Sequence, residues 1–480
     1  MKTHIQHNLV LLTLFLAVTG SCNNHGQQSR ENNSKPNVIL FLCDDLGYGD
    51  LSLLGQKSFS TPNIDRLAEE GISFTNFYAG CSVCAPSRVS LLTGKHSGHT
   101  SVRNWKHGLA VGDQEMTLAR VMKEAGYVTA QIGKWDCGHP VPVDDPQRKG
   151  FDYFFGYLNS WHAHNYYPEF LYRNGEKVEL RNKLQVDENG ENPWKNMPEG
   201  PGVAEVKEDY VPFLLDREGL EFIDKNKDKP FFLVLSYNTP HANPQKKPDG
   251  MEVPSYGPFE GKDSPDPEKG FAAMIDNLDK SVAKIMDRLV KHGIDENTMF
   301  IFCSDNGPHN QGGHDVEFFN SNGDLRGAKV DLYEGGIRTP FLVRWPKVIQ
   351  PGSKSEHLGA FWDVLPTLAE IVGSDTPDDI DGISFLPLLQ GMTDRQRQHK
   401  YLYWELNAVG GKQAIRKGKW KAVKLNVSND QPVLTELYNL ETDPGESTNV
   451  ADRYPGVLEE ILPLFNEARD DHSGHFILQD

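Results

Sequence analysis

The chain has no excess of basic residues: 49 Lys and Arg face 67 Asp and Glu, for a formal net charge of -18. Nucleic acid needs a basic face to meet its phosphates, so that class of partner is excluded. The same balance works against long-range steering of an anionic substrate, so any anion site must be built from locally clustered Lys, Arg, His and metal. Cysteine is also scarce, six in 480 residues. Cys22 lies near the N-terminus, and Cys43 and Cys303 sit inside apolar runs. This is not the even, loop-borne spacing of a disulfide scaffold. Cys81 and Cys84 form a single Cys-x-x-Cys with no second pair and no flanking His pair, which argues against a zinc or redox centre. The sequence has no internal repeat and no long low-complexity tract.

Long apolar runs are missing too. Leu9 through Val18 is too short to span a bilayer and follows Lys2, so residues 1–22 read as an export signal. Val18-Thr19-Gly20-Ser21-Cys22 resembles a loose lipobox with Thr19 where Leu is usual. It leaves two outcomes open, lipid attachment at Cys22 or simple cleavage nearby. Residues 23–35 are polar and read as a tether. The expectation is an exported protein, periplasmic or lipid-anchored to the cell envelope, touching membrane only through a lipid on Cys22.

What is present is an alternation of short apolar runs and helical stretches from Pro36 onward, the pattern of a mixed or parallel sheet covered by helices. Asn37 to Cys43 is continuously apolar and reads as a buried strand, as do Tyr127 to Ile132, Pro230 to Tyr237 and Met299 to Cys303. Helices are predicted from Thr61-Pro62 to Gly71, from Thr117 to Gly126, and through Met274, Leu278, Val282, Ile285 and Leu289 to Gly293. Beyond a break near 391–399, Tyr401 to Trp404 and Trp420 to Val423 predict strands of a smaller sheet, followed by a helix from Pro455 to Ala468. Asp44-Asp45, Lys134, His241 and Asp305-Asn306 each follow one of the four strands. Ligands of open α/β sheets sit at the carboxyl ends of strands, so these residues nominate one shared site.

The strongest local signal is Cys84-Ala85-Pro86-Ser87-Arg88-Val89-Ser90-Leu91-Leu92-Thr93-Gly94. Pro86 suits the first turn of a helix and Gly94 its stop, which puts Cys84 at the positive end of the helix dipole. This segment resembles the C-x-P-S-R-x-x-x-L-T-G signature of the type I, formylglycine-dependent sulfatases, with every defining position filled. The resemblance extends over nearly all of the chain after the leader. It implies an α/β, alkaline-phosphatase-like fold: a large mixed sheet sandwiched by helices over residues 36–395, and a smaller C-terminal α+β subdomain over 396–480. It also implies that Cys84 is oxidised by a formylglycine-generating maturation enzyme to 3-oxoalanine. The hydrate of that residue offers one hydroxyl to attack sulfur and another whose collapse expels sulfate.

Further roles follow from the same resemblance. Asp44, Asp45, Asp305 and Asn306, in Asp44-Asp45-Leu46-Gly47-Tyr48-Gly49-Asp50 and Ser304-Asp305-Asn306-Gly307, would bind a metal ion with the modified Cys84. Hard oxygen ligands suit Ca²⁺, with Mg²⁺ as the alternative. Arg88 would hold the hydroxyl and the metal site. Lys134 and Lys329 would grip sulfate, and His241 would protonate the leaving oxygen. Arg338 reads as structural. One departure stands out: the family usually has G-K-W-H-L-G where this chain has Gly133-Lys134-Trp135-Asp136-Cys137-Gly138. Either Asp136 or His139 would then take the proton that the missing His usually accepts. His164 reads as a rim residue or a structural one. Trp404 and Glu405 are expected near a sugar, with packing the alternative for Trp404. The implied reaction is hydrolysis of an O-sulfate ester of a sulfated carbohydrate. The competing readings are a phosphate or phosphonate monoester hydrolase on the same scaffold, and a glycan-binding homologue that turns over weakly.

Overall fold

The computed structural model describes Met1 and residues 35–104, 110–137, 145–197 and 200–470. Apart from Met1 and Lys35, the expected export signal and tether, including Cys22, lie outside the described residues, as does His139. Among the described residues no helix is long and apolar enough to cross a membrane.

Ten strands form one mixed sheet. Its centre is five parallel strands in the order Thr298–Ser304, Asn37–Asp44, Phe231–Pro240, Val128–Lys134 and Tyr153–Tyr157. Phe341–Arg344 continues it antiparallel on one side, and Phe170–Arg173 does so on the other. The Asn37 strand shows why the apolar runs are continuous. Ile39, Phe41 and Cys43 face one core and Val38, Leu40 and Leu42 the other, all buried. The period-two alternation of a strand thus feeds two helix layers. Each large aliphatic or aromatic side chain buried this way contributes roughly 1.5–3 kcal/mol. The first layer includes the helices Pro62–Glu69, Val211–Asn226 and Asp266–His292; the second includes Cys84–Thr93, Leu118–Glu124 and Val364–Val372.

Helix ends follow the expected chemistry. Thr117 accepts the Arg120 N–H as an N-cap, and Gly293 and Gly94 end their helices at positive φ. The C-terminal sheet is antiparallel, Leu402–Leu406, Lys412–Lys417, Trp420–Leu425 and Leu434–Asn439. Leu402, Trp404, Ala414, Val423 and Tyr438 pack toward Tyr78 and Trp362, while Tyr403, Ile415, Ala422 and Leu437 meet Ile461, Leu464 and Phe465. The terminal helix expected from Pro455 to Ala468 is two pieces, Pro455–Ile461 and Leu464–Glu467. Pro463 between them has no N–H to continue the ladder.

Candidate active site

Four strand ends converge, and the helix that begins at Cys84 faces them. The Asn37 strand delivers Asp44 and then Asp45, whose φ of 64° turns the chain. The Thr298 strand delivers Asp305, whose Oδ1 accepts the Asp45 N–H at 3.1 Å. The Val128 strand delivers Lys134, and the Phe231 strand leads into His241. Gly133 permits the close approach between the last two: its φ is +113°, and a Cβ there would lie 1.9 Å from the Ser236 carbonyl oxygen.

Arg88, one turn into its helix, organises the floor. Its Nε donates to Asp305 Oδ2 at 2.9 Å, and its Nη1 donates to the Lys134 carbonyl and to Ser236 Oγ. Ser236 also donates to the Lys134 carbonyl. This serine was missed in the sequence, although it is the first polar residue after the apolar run Phe231 to Leu235. Lys134 Nζ lies 2.8 Å from Asp44 Oδ2 and 3.3 Å from Asp136 Oδ2. Lys329 Nζ donates to Asp45 Oδ2 at 2.8 Å, and His241 Nε2 is 3.4 Å from the same oxygen. The His241 Nδ1 donates to the Ala242 carbonyl at 2.6 Å, leaving Nε2 as the nitrogen that faces the acids. His164 stacks on His241 with centroids 4.4 Å apart, and His309, a second residue missed in the sequence, lies 5.5 Å away on another side. His309 stands only two residues beyond the recognised Ser304-Asp305-Asn306-Gly307 segment.

Burial sets the electrostatics. It pushes the Cys84 thiol up to about 12 despite Lys134 and Lys329, and the Asp305 carboxyl up to about 7 despite Arg88. Burial also opposes the charge on Asp44, but Lys134, His241 and Arg88 outweigh it and hold that carboxyl well below its ordinary range. Lys134 is pulled down by burial and held well above its usual value by Asp44. His241 falls well below the histidine range, first through burial and then through Lys329.

Two buried acceptors indicate what the cluster can hold. Asp44 Oδ1 and Asn306 Oδ1 have no hydrogen-bond partner, and the Arg88 Nη2 at 3.7 Å is too far to serve Asp44. Asn306 meanwhile donates to Asp45 Oδ1 at 2.6 Å. Asp44, Asp45, Cys84 and His241 all offer ligand atoms within 4.8 Å of one another. Orphaned carboxylate and amide oxygens beside further carboxylates fit a hard divalent cation.

Glu405 is a correction. It is fully buried, and both its carboxylate oxygens are spent on Arg103, Arg469 and the Tyr403 hydroxyl, so it joins the C-terminal sheet to the chain around Arg103 instead of facing a sugar. Trp404 is a packing residue whose indole donates to the Ala79 carbonyl. Arg338 donates to the Thr75 carbonyl and pairs with Glu334 at 3.5 Å, a structural role.

Comparison with known proteins agrees with this architecture. Residues 36–374 match the sulfatase family model, and 328–463 match the model of the C-terminal region of N-sulphoglucosamine sulphohydrolase. The chain is 30% identical to an N-acetylgalactosamine-6-O-sulfatase of Bacteroides thetaiotaomicron, over 97% of this chain and 99% of the relative. It is 32% identical to human arylsulfatase A over 90% of this chain and 86% of the relative. The crystal structure of Ps i-CgsB in complex with k-i-k-neocarrahexaose superposes with a TM-score of 0.73 at 28% identity, covering 92% of this chain and 95% of that one. The chain therefore belongs to the sulfatase family and is a hydrolase of sulfuric esters.

Proposed function

We propose that this protein is an exported sulfatase that removes O-sulfate from a sulfated carbohydrate, using a formylglycine made from Cys84 and a bound Ca²⁺. The observation that carries this reading is the pair of orphaned oxygens on Asp44 and Asn306, set between carboxylates and beside Cys84 and two lysines. Burial keeps the Cys84 thiol protonated near neutrality, so as unmodified cysteine it is a poor nucleophile and the reading requires its conversion to formylglycine. The names of relatives that act on N-acetylgalactosamine-6-sulfate support a glycan substrate. Lys2 and the short apolar run from Leu9 to Val18 support export, and Cys22 leaves lipid attachment or simple cleavage open.

The ion would be held by Asp44, Asp45, Asp305 and Asn306, with Mg²⁺ the alternative to Ca²⁺, and would polarise the sulfate oxygens while formylglycine supplies the attacking oxygen. The protein's own residues do the rest. Lys134 and Lys329 bind the non-bridging oxygens from two sides, where charge is fixed before the reaction begins. Arg88 keeps Asp305 and the Lys134 backbone in place. His241, its Nδ1 committed to Ala242, presents Nε2 to protonate the leaving oxygen. Asp136, at φ +50° and 3.3 Å from Lys134, accepts as a carboxylate the proton that the family's usual His would take.

The test is a sulfate-release screen over defined sulfated saccharides, starting with N-acetylgalactosamine-6-sulfate. The enzyme is co-produced with a formylglycine-generating partner, and the Cys84 peptide is weighed by mass spectrometry. Sulfate release that depends on the converted Cys84 supports the reading; a large preference for the phosphate ester of the same alcohol overturns it. The pairing of Asp136 with Lys134 favours one second reading, a weakly active glycan-binding homologue. That version predicts binding of the sulfated sugar by converted enzyme without release.

A further inference from the structure

Lys329 sits in a tight turn whose next residue is out of place by ordinary backbone chemistry. Val330 has φ +81°, a left-handed conformation that β-branched residues avoid and that glycine would adopt freely. Such strain persists only where the surroundings over-determine it, and here they do. The Val330 N–H donates to the Ser82 carbonyl at 2.8 Å, two residues before Cys84. Its side chain packs on Cys81, Val83 and Leu406. Lys412 donates to the Val330 carbonyl at 3.1 Å and to Asp331 Oδ1 at 2.7 Å. Lys412 pairs in register with Leu406 in the C-terminal sheet, so one strand pair supplies both an apolar contact and a hydrogen bond to Val330, beside those from residues 81–83. The Lys329 N–H donates in turn to the Pro308 carbonyl at 2.8 Å, just after the Asp305–Asn306 segment. The Asp331 carboxylate closes the turn by accepting the Ala328 N–H.

We infer that Val330 and Lys412 form a latch by which the C-terminal sheet fixes Lys329 against the turn that carries Cys84, so that both are positioning residues for the sulfate-binding lysine. The inference rests on the reading that Lys329 grips sulfate. A glycine at 330 would relieve the left-handed backbone but has no side chain to hold between Val83 and Leu406. The strained residue is therefore explained by the apolar anchor, and the anchor by the lysine beside it. Displacing a cation that holds sulfate in ground state and transition state alike weakens binding of the sulfate group and so raises KM more than it lowers kcat.

The experiment uses the full converted enzyme and compares Val330→Gly, Val330→Asn, Lys412→Met, Lys412→Arg and Lys329→Met. Readouts are KM and kcat on the sulfated saccharide that wild type cleaves best, the inhibition constant of inorganic sulfate, and the melting midpoint. The expected result is a roughly tenfold or greater rise in both KM and the sulfate inhibition constant for Val330→Gly, Val330→Asn and Lys412→Met, with a smaller effect on kcat. Lys412→Arg, which still donates to the Val330 carbonyl, should restore both toward wild type. A role in folding alone would lower the midpoint without moving sulfate affinity. Unchanged KM and sulfate inhibition in the 330 and 412 variants, beside a clear loss in Lys329→Met, overturns the latch. No effect of Lys329→Met overturns the sulfate role of that lysine, and the latch with it. If Val330→Gly fails to fold, the Lys412 pair still decides.

Discussion

The Arg88 guanidinium lies 2.7 Å from Asp305 Oδ2, and both side chains are buried at the meeting point of the Cys84 helix and the Thr298 strand. Burial, helped by Asp44 and Asp45, lifts the Asp305 carboxyl to about 7 against the pull of Arg88 and Lys134. Arg88→Met leaves that carboxylate without its partner and is expected to destabilise the fold by about 3–5 kcal/mol. Urea titration of the two proteins checks this. Arg88→Lys should recover only part, because an ammonium cannot reach Asp305, Ser236 and the Lys134 carbonyl in one plane.

Chelation should abolish sulfate release and lower the melting midpoint, and Ca²⁺ should restore both. A site saturated about 100-fold above its dissociation constant contributes about 2.7 kcal/mol. Asn306→Ala removes one of the two orphaned oxygens and should shrink the calcium-dependent part of the midpoint shift. A midpoint indifferent to chelator would sink the assignment of these residues to an ion.

His241 must carry its proton on Nε2 to serve a leaving alcohol. Its pKa is depressed by burial and by Lys329, so the protonated fraction falls as pH rises through that lowered value. Turnover of sugar sulfates should therefore be greatest on the acid side of neutrality and decline with rising pH. His241→Asn should cost roughly 10²–10⁴-fold on sugar sulfates and remove that decline. Aryl sulfates, whose phenolate leaves without help, should lose far less.

Asp136 is checked by replacing it in both directions. Asp136→Ala should slow steady-state sulfate release by about 100-fold or more, and Asp136→His should restore a working acceptor. If neither change alters the rate, Asp136 is not the base.

His96 is buried, and that burial lowers its pKa to about 4 even though Asp381 pulls the other way; His99 and Arg103 add to the lowering. A folded-state value below the unfolded one contributes stability that is complete above about pH 6.5 and is lost as pH falls toward 4, up to about 3 kcal/mol. Urea midpoints at pH 7.5, 5.5 and 4 should fall more steeply for wild type than for His96→Gln. Equal slopes would show that another group governs acid unfolding.

The sulfatase chemistry was legible in the sequence because it is carried by short segments whose order is local. Cys84 to Gly94 reads as motif and helix together, and Asp44-Asp45 and Asp305-Asn306 follow strands that their continuous apolarity announces. Period-two burial on both faces of the Asn37 strand needed no knowledge of its partners.

Other facts depend on distances between segments far apart in the chain, and no spacing encodes those. Glu405 stands beside an aromatic in the sequence like a sugar contact, and only the packing of the C-terminal strands against Arg103 and Arg469 shows that it is spent on ion pairs. Ser236 and His309 enter the site because neighbouring strands bring their carbonyl and ring partners to them. The sequence by itself determined the chemical class, the strands and the set of charged groups, since those follow from residue type and local periodicity. Tertiary structure alone decided which oxygens remain without donors, which histidine nitrogen faces the acids, and how Val330 is held beside Lys329, because each depends on what a distant segment places within about 3 Å.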